Sequence, residues 1–401
     1  MAAQKPRFWG ILVFMPDRVY LDWNATTPLR REAREAMADA WDLFGNPSSV
    51  HAEGRRGRRM VEQARAMVAG AVGARPQNLV FTSGGTEANA LALTPGLHRV
   101  GPEVTRLLVS ATEHPSVLTG GRFSADAIGT INVTRSGVVD LDHVSAMLAG
   151  GPPALVSIML ANNETGVLQP IAEVAEIVHQ ADGLLHVDAI QALGKISFDI
   201  NEMRADLISL SAHKVGGPKG IGALVAAEGV LGFEPLLRGG GQELGRRAGT
   251  ENVAGIAGFG AAVKAAMSAL EDDAIRIEAM RNRLEHGLRQ MPGVIVFSDA
   301  ASRLPNTTLF TVPGLKAETA VIGFDLAGIA VSSGSACSSG KVQPSHVVKA
   351  MGFGPEIAQG AVRLSLGWST SDADVDRCLE AWQGLAGTLL KGSDETLLER
   401  F

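Results

Sequence analysis

Three residues stand in settings where their side chains could do chemistry: Lys214, Cys337 and Arg363. Lys214 follows His213 in Ser211-Ala212-His213-Lys214-Val215-Gly216-Gly217-Pro218-Lys219-Gly220, between the apolar run Leu207-Ile208-Ser209-Leu210 and a glycine-rich turn that cannot be helical. That pattern predicts a strand end presenting Lys214 into a cleft. A lysine amine in a partly desolvated pocket can lose its proton and attack a carbonyl, as in Schiff-base enzymes; the competing reading is one more solvated surface lysine. Cys337 sits in Val331-Ser332-Ser333-Gly334-Ser335-Ala336-Cys337-Ser338-Ser339-Gly340, where serines and glycines without apolar periodicity predict a flexible, exposed loop. An exposed thiol has a reference pKa of about 8.5, so the thiolate is accessible and a modest cationic environment increases it. An incidental loop cysteine is the alternative. Arg363, in Val362-Arg363-Leu364-Ser365, lies in an otherwise apolar strand pattern, where its planar fork would clamp a carboxylate or close a structural ion pair.

Such residues need elements to position them. Leu107-Leu108-Val109, Leu155 to Leu160, Leu184 to Asp188 and Leu207 to Leu210 are short apolar runs, and Ile171, Val174, Ala175 and Val178 mark a helix between two of them. Near-continuous apolar strands alternating with helices predict an α/β fold with a largely parallel sheet covered on both faces, whose ligands sit at the carboxyl ends of the strands. Glu113 and His114, Asn162 and Asn163, Asp188 and Gln191, and Ser211, His213 and Lys214 all fall at such ends. Leu79 to Asn89 runs from a strand through Ser83-Gly84-Gly85-Thr86 into a helix-compatible segment. The free amides of a helix start attract a phosphate, and without a Walker lysine or dinucleotide glycine spacing this reads as a monophosphate cradle. Asn24 to Pro28 and Phe44 to Ser49 are polar turns, the former suited to the edge of a site. Val61, Ala64, Val68 and Val72 predict a helix that Gly73 can end. Residues 239–250 form a cationic loop that could close over an anion. A long helical segment, with Ile277, Met280, Leu284 and Leu288 at helical spacing, is expected from about residue 261, followed by a smaller α+β unit.

With 401 residues, two or three structural units are expected. Hydrophobic residues make up 46% and charged residues 19%, an ordinary globular balance. A net charge of −6 and a pI near 5.9 give no reason to expect nucleic acid or an anionic membrane as partner, and Arg55, Arg56, Arg58 and Arg59 read as a solvated helix face. Two cysteines cannot form a disulfide framework, so a reducing compartment is expected, and Cys378 reads as a small buried hydrophobe on a helix. No His-x-x-x-His or Cys-x-x-Cys pair supports a metal centre. Phe8 to Phe14 is too short to span a bilayer and no small-residue cleavage site follows it, so residues 1–14 read as an extension upstream of a start at Met15.

Taken together, these strings resemble the cysteine desulfurases of the NifS/IscS type, pyridoxal-phosphate enzymes of the class V aminotransferase group. The likeness runs from Tyr20 to about residue 385. It is carried by Leu21 to Pro28, Phe81 to Glu87, Asn162 to Gly166, His186 to Gln191, Ser211 to Gly220, Arg247 to Asn252 and Ser332 to Ser338, in matching order. The resemblance implies fold type I: a large domain over 22–260 with a mainly parallel seven-stranded sheet, and a small α+β domain from 1–21 and 261–401 that carries the cysteine loop 332–340. It implies that Lys214 holds pyridoxal 5'-phosphate and moves protons at the substrate carbon. Asp188 would pair with the ring nitrogen, and His114 would stack on the ring and assist acid-base steps. Gln191 would contact the phenolic oxygen, with Asn163 near it and the substrate. Gly85, Thr86, Ser211 and His213 would hold the phosphate, with Thr250 contributed by the second subunit of a homodimer. Arg363 would bind the carboxylate of L-cysteine. Cys337 would take the sulfur as a persulfide and pass it to an iron–sulfur scaffold or another acceptor in the cytoplasm. Leu244 stands where relatives often carry arginine, so an anion contact there would fall to Arg246 or Arg247.

Overall fold

The computed structural model describes residues 18–334 and 343–389. Cys337 lies outside the described residues, as do Met15 and the apolar run before it. The strands are β1 (Val19–Tyr20), β2 (Leu79–Thr82), β3 (Arg106–Ser110), β4 (Ile128–Ile131), β5 (Ala154–Met159), β6 (Leu184–Asp188) and β7 (Leu207–Ser211). They continue with β8 (Gly222–Ala226), β9 (Ile295–Val296), β10 (Thr307–Thr311), β11 (Ile329–Ala330), β12 (Ser332–Ser333) and β13 (Val362–Ser365). Seven of them form one sheet in the order β2-β8-β7-β6-β5-β3-β4, in which only β8 runs antiparallel to its neighbours.

Alternation within these strands builds a core on each face, because successive side chains point to opposite sides. Phe81, Val156, Ile158, Val187, Ile208 and Leu210 face the helices Ala52–Gly70, Ile171–Gln180 and Val253–Ser268. Val80, Leu107, Val109, Leu155 and Leu207 face Gly85–Ala92. This is the helix-covered, mainly parallel sheet of fold type I. The other strands make a four-stranded antiparallel sheet, β12-β13-β10-β9, and a parallel pair, β1-β11. A separate core lies against them, formed by Leu21, Phe310, Phe324, Leu364, Trp382 and the fully buried Cys378, whose thiol burial pushes up to about 12.

Two helix boundaries differ from the sequence expectation. The helix carrying Val61 ends at Gly70, and Gly73, with a φ of 72°, sits one turn beyond it. The long segment expected from about 261 starts at Val253 and breaks at Ala269 into Val253–Ser268 and Leu270–Leu288, bent by 70°. The break follows from packing. Val263 and Ala266 of the first half belong to the core of the large sheet, where Gly260 lets the helix lie close against Ala64, while Ile277, Met280 and Leu284 of the second half belong to the other core. A straight helix could not serve both. Among the described residues no single helix is long and apolar enough to cross a membrane.

Candidate active site

The carboxyl ends of the parallel strands open into a cavity of about 320 Å³. Of the sequence-predicted residues it brings together Gly85, Thr86, His114, Asn163, Asp188, Gln191, Ser211, His213, Lys214 and Arg363. Thr250 is exposed and does not line it. The loop arginines are engaged elsewhere: Arg247 pairs with Glu87 at 3.1 Å, and Arg246 donates to the Gln77 carbonyl at 2.7 Å.

Lys214 ends a tight helical turn, Ala212–Lys214, that follows β7 directly. Its Nζ donates to the carbonyls of Asn24, at 2.5 Å, and Ala25, at 2.8 Å. Burial and the nearby Arg363 guanidinium bring the amine down to about 8, while Asp22 and Asp188 oppose the shift. The cleft-facing reading of Lys214 therefore prevails over the solvated one.

Asp188, the last residue of β6, is buried, and its carboxylate accepts from Asn89 Nδ2 at 2.9 Å and the Ile190 amide at 3.0 Å. Burial raises its pKa, against the pull of those hydrogen bonds and of His114 and Lys214. Among the described residues it forms no ion pair, so it can receive a cationic group presented from the cavity. His114 caps the short helix Pro115–Leu118 by accepting the Ser116 amide at Nδ1, 3.1 Å away, which leaves its proton on Nε2. Burial lowers the pKa of His114, and that of His213 to about 4, so both imidazoles are neutral.

Phosphate-sized anions have a cradle in the turn from β2 into Gly85–Ala92, where first-turn amides lack an intrahelical acceptor. Gly85 keeps the turn close to its neighbours: a Cβ there would come within 2.2 Å of Ile190 Cδ1 and force that side-chain end to move. The buried hydroxyl of Ser211 beside it has no hydrogen-bond partner. An unpartnered hydroxyl, a first helical turn of amides and a buried carboxylate without a cation are the complement of a phosphorylated, cationic ring, and these residues fit pyridoxal 5'-phosphate.

Arg363, buried on β13, resolves its two sequence readings into one arrangement. Its Nη2 donates to Asp22 at 2.6 Å and its Nη1 to the Asn163 carbonyl at 3.0 Å, while Nε has no partner and the side chain still lines the cavity. The ion pair orients the fork without consuming its five N–H groups.

Sequence reasoning missed three contributors. Asn89, one helical turn past Gly85, holds Asp188. Lys195, four residues past Gln191, donates to Gln191 Oε1 at 2.6 Å. Asn24 was placed only at a site edge, yet every polar group it owns is bonded: its amide to Ser365 Oγ, its Nδ2 to Asn163 O and Thr307 Oγ1, its Oδ1 to Lys195 and Asn306, and its carbonyl to Gln191 and Lys214. The i,i+4 spacing of Asn89 and Lys195 was the available signal; Asn24 had none beyond its turn.

Comparison with known proteins points the same way. The family described as Aminotransferase class-V matches residues 19–378. The cysteine desulfurase of Sinorhizobium fredii is 43% identical over 368 residues, covering 90% of this chain and 94% of that protein. The cysteine desulfurase IscS of Dictyoglomus turgidum is 39% identical over 371 residues, covering 91% of this chain and 94% of that protein. The X-ray structure of a NifS-like protein from Rickettsia africae superposes with a TM-score of 0.84 at 35% identity, covering 93% of this chain and all of that one.

Proposed function

Since this chain belongs to the class-V aminotransferase family, and to the cysteine desulfurases within it, we propose how its own residues divide the work of that reaction. The chain converts L-cysteine to L-alanine with transfer of the substrate sulfur. The observation that carries the residue assignment is the convergence of Lys214, Asp188, His114 and Arg363 on one cavity.

Bound pyridoxal 5'-phosphate supplies an electron sink for bond breaking at the substrate α-carbon. Lys214 holds it, and its lowered pKa gives the neutral amine that attack on a carbonyl requires. The same amine would take and return the proton at the substrate α-carbon. Asp188 would pair with the ring nitrogen and keep a proton there. His114 would lie over the ring and, with Nε2 protonated, could serve as a proton donor. Gly85, Thr86, Ser211 and His213 would receive the phosphate, and Gln191 would donate to the phenolic oxygen with Asn163 beside it. Arg363, oriented by Asp22, takes the substrate carboxylate.

Cys337 is the nucleophile. Its thiolate attacks the substrate sulfur, so that a sulfur–sulfur bond forms as the Cβ–sulfur bond breaks, the electron pair returns to carbon, and protonation there completes alanine. The persulfide left on Cys337 goes to an iron–sulfur scaffold or another acceptor. A cytoplasmic setting belongs to this reading, because the thiol has to remain reduced. The large unit is taken as 22–260 and the small one as 1–21 with 261–401; the separate hydrophobic cores support two units, although Ala262, Val263 and Ala266 pack with the large sheet and favour a boundary at the Ala269 break. A homodimer in which Thr250 serves the partner's phosphate is supported by the exposure of Thr250 away from its own cavity.

Cys337→Ala tests the assignment. The purified variant should keep the visible cofactor band and lose alanine and sulfide production from cysteine; full turnover in the variant sinks it.

A further inference from the structure

Lys195 belongs to none of the roles assigned above, yet its amine ends against two residues that line the site, Gln191 and Asn24. Nζ donates to Gln191 Oε1 at 2.6 Å and to Asn24 Oδ1 at 3.0 Å. Gln191 in turn donates through Nε2 to the Asn24 carbonyl at 2.9 Å, the same carbonyl that accepts from Lys214. An amide nitrogen carries two N–H groups, so one remains for the cavity that Gln191 lines. Reversing the amide would set Oε1 against the Asn24 carbonyl and Nε2 against the lysine amine, two contacts of like polarity.

The surroundings of Lys195 suit an orienting donor better than a counterion. Among the described residues it makes no ion pair, and Lys214 and Arg363 are its charged neighbours. Burial, with those two cations, drives its pKa well below the ordinary lysine value. The geometry alone sets its role as donor, because both hydrogen bonds of Nζ end on amide oxygens.

We propose that Lys195 is a positioning residue: it locks the Gln191 amide with its N–H edge toward the cavity and pins the Asn24 turn on which Lys214 rests. This rests on the reading that Gln191 donates to the phenolic oxygen of the cofactor.

The test measures equilibrium binding of pyridoxal 5'-phosphate to the cofactor-free dimer or monomer, as it purifies, by fluorescence. Lys195→Met and Lys195→Gln should each weaken binding about five- to tenfold, the worth of one orienting hydrogen bond. Gln191→Ala should do the same, and Gln191→Ala with Lys195→Met should be no weaker than the worse single variant, since both act through one amide. With 3-deoxypyridoxal 5'-phosphate, which lacks the ring oxygen, the Lys195 penalty should fall below about twofold. A merely structural lysine would weaken both ligands equally and add fully to Gln191→Ala; either result overturns the proposal, as does unchanged binding in both folded Lys195 variants. A silent Gln191→Ala with a sensitive Lys195→Met would instead remove the Gln191 reading, and the route through the amide with it.

Discussion

Lys214 offers the most direct measurement of how this fold prepares an amine. Its pKa of about 8, against 10.5 for an ordinary lysine, leaves roughly one molecule in ten neutral at pH 7 where about one in three thousand would otherwise be, a gain of about 300-fold in reactive amine. Burial is the first cause and the Arg363 guanidinium the second, because a nearby cation disfavours the ammonium. Trace acetylation of the cofactor-free protein across pH 6 to 11, with the Lys214 peptide quantified by mass spectrometry against the exposed Lys219, reads the titration directly. The parent should inflect near pH 8. Arg363→Met removes the cation and should move the inflection upward, whereas Asp22→Asn removes an anion that stabilises the ammonium and should move it downward. An inflection at or above pH 10 in the parent, or one that Arg363→Met leaves in place, would refute the account of Lys214 as a desolvated, cation-flanked base.

The same shift has a stability signature. Because the folded pKa lies below the unfolded one, the unfolded chain binds the extra proton between pH 8 and 10.5; stability of the cofactor-free protein should therefore rise with pH across that window, by up to about 3 kcal/mol from this group, and urea melts of Lys214→Met should show a flatter slope. Arg363→Ala should raise KM for cysteine about 10- to 100-fold with a smaller change in kcat, and Arg363→Lys should fall between, in steady-state alanine assays; an unaltered KM counts against the carboxylate clamp. Glu243, at a φ of 49°, takes two hydrogen bonds from the buried Arg65, at 2.7 and 2.9 Å, and one from the Phe81 amide at 3.1 Å. Glu243→Ala should lower unfolding free energy by about 1–3 kcal/mol in urea melts, since Arg65 keeps Glu62 and the Leu79 carbonyl but loses two carboxylate contacts and the Phe81 amide loses its acceptor, and it should weaken cofactor retention because Phe81 leads into the phosphate turn.

Much of the fold was readable because its signals are local. The apolar runs at Leu155, Leu184 and Leu207 are buried along their whole lengths, as strands covered on both faces must be, and their ends carry Asp188 and Lys214 as expected. The break at Ala269 was not readable in this way. Each half of that segment has a helical pattern, and only the position of a second core shows that the two stripes face different partners. Nor could the sequence reveal that Arg246 and Arg247 are engaged by Gln77 and Glu87, since those partners lie 169 and 160 residues away.

The site divides along the same line. Residues proposed to meet a ligand announce themselves by type, since a lysine before a glycine turn or a carboxylate at a strand end is conspicuous wherever it stands. Residues that hold those residues do not, because their chemistry is ordinary and their partners are distant. Asn24 is an asparagine in a polar turn until the fold brings Ser365, Thr307 and Asn306 to it across 341, 283 and 282 residues. It then becomes the point where the N-terminal turn, the large sheet and the small sheet share hydrogen bonds around the lysine amine. Its carbonyl accepts from both Lys214 and Gln191, so displacement of that one turn would disturb the amine and the Gln191 amide together. That coupling is why a half-buried lysine at position 195, outside every recognisable motif, can bear on the roles proposed for its neighbours.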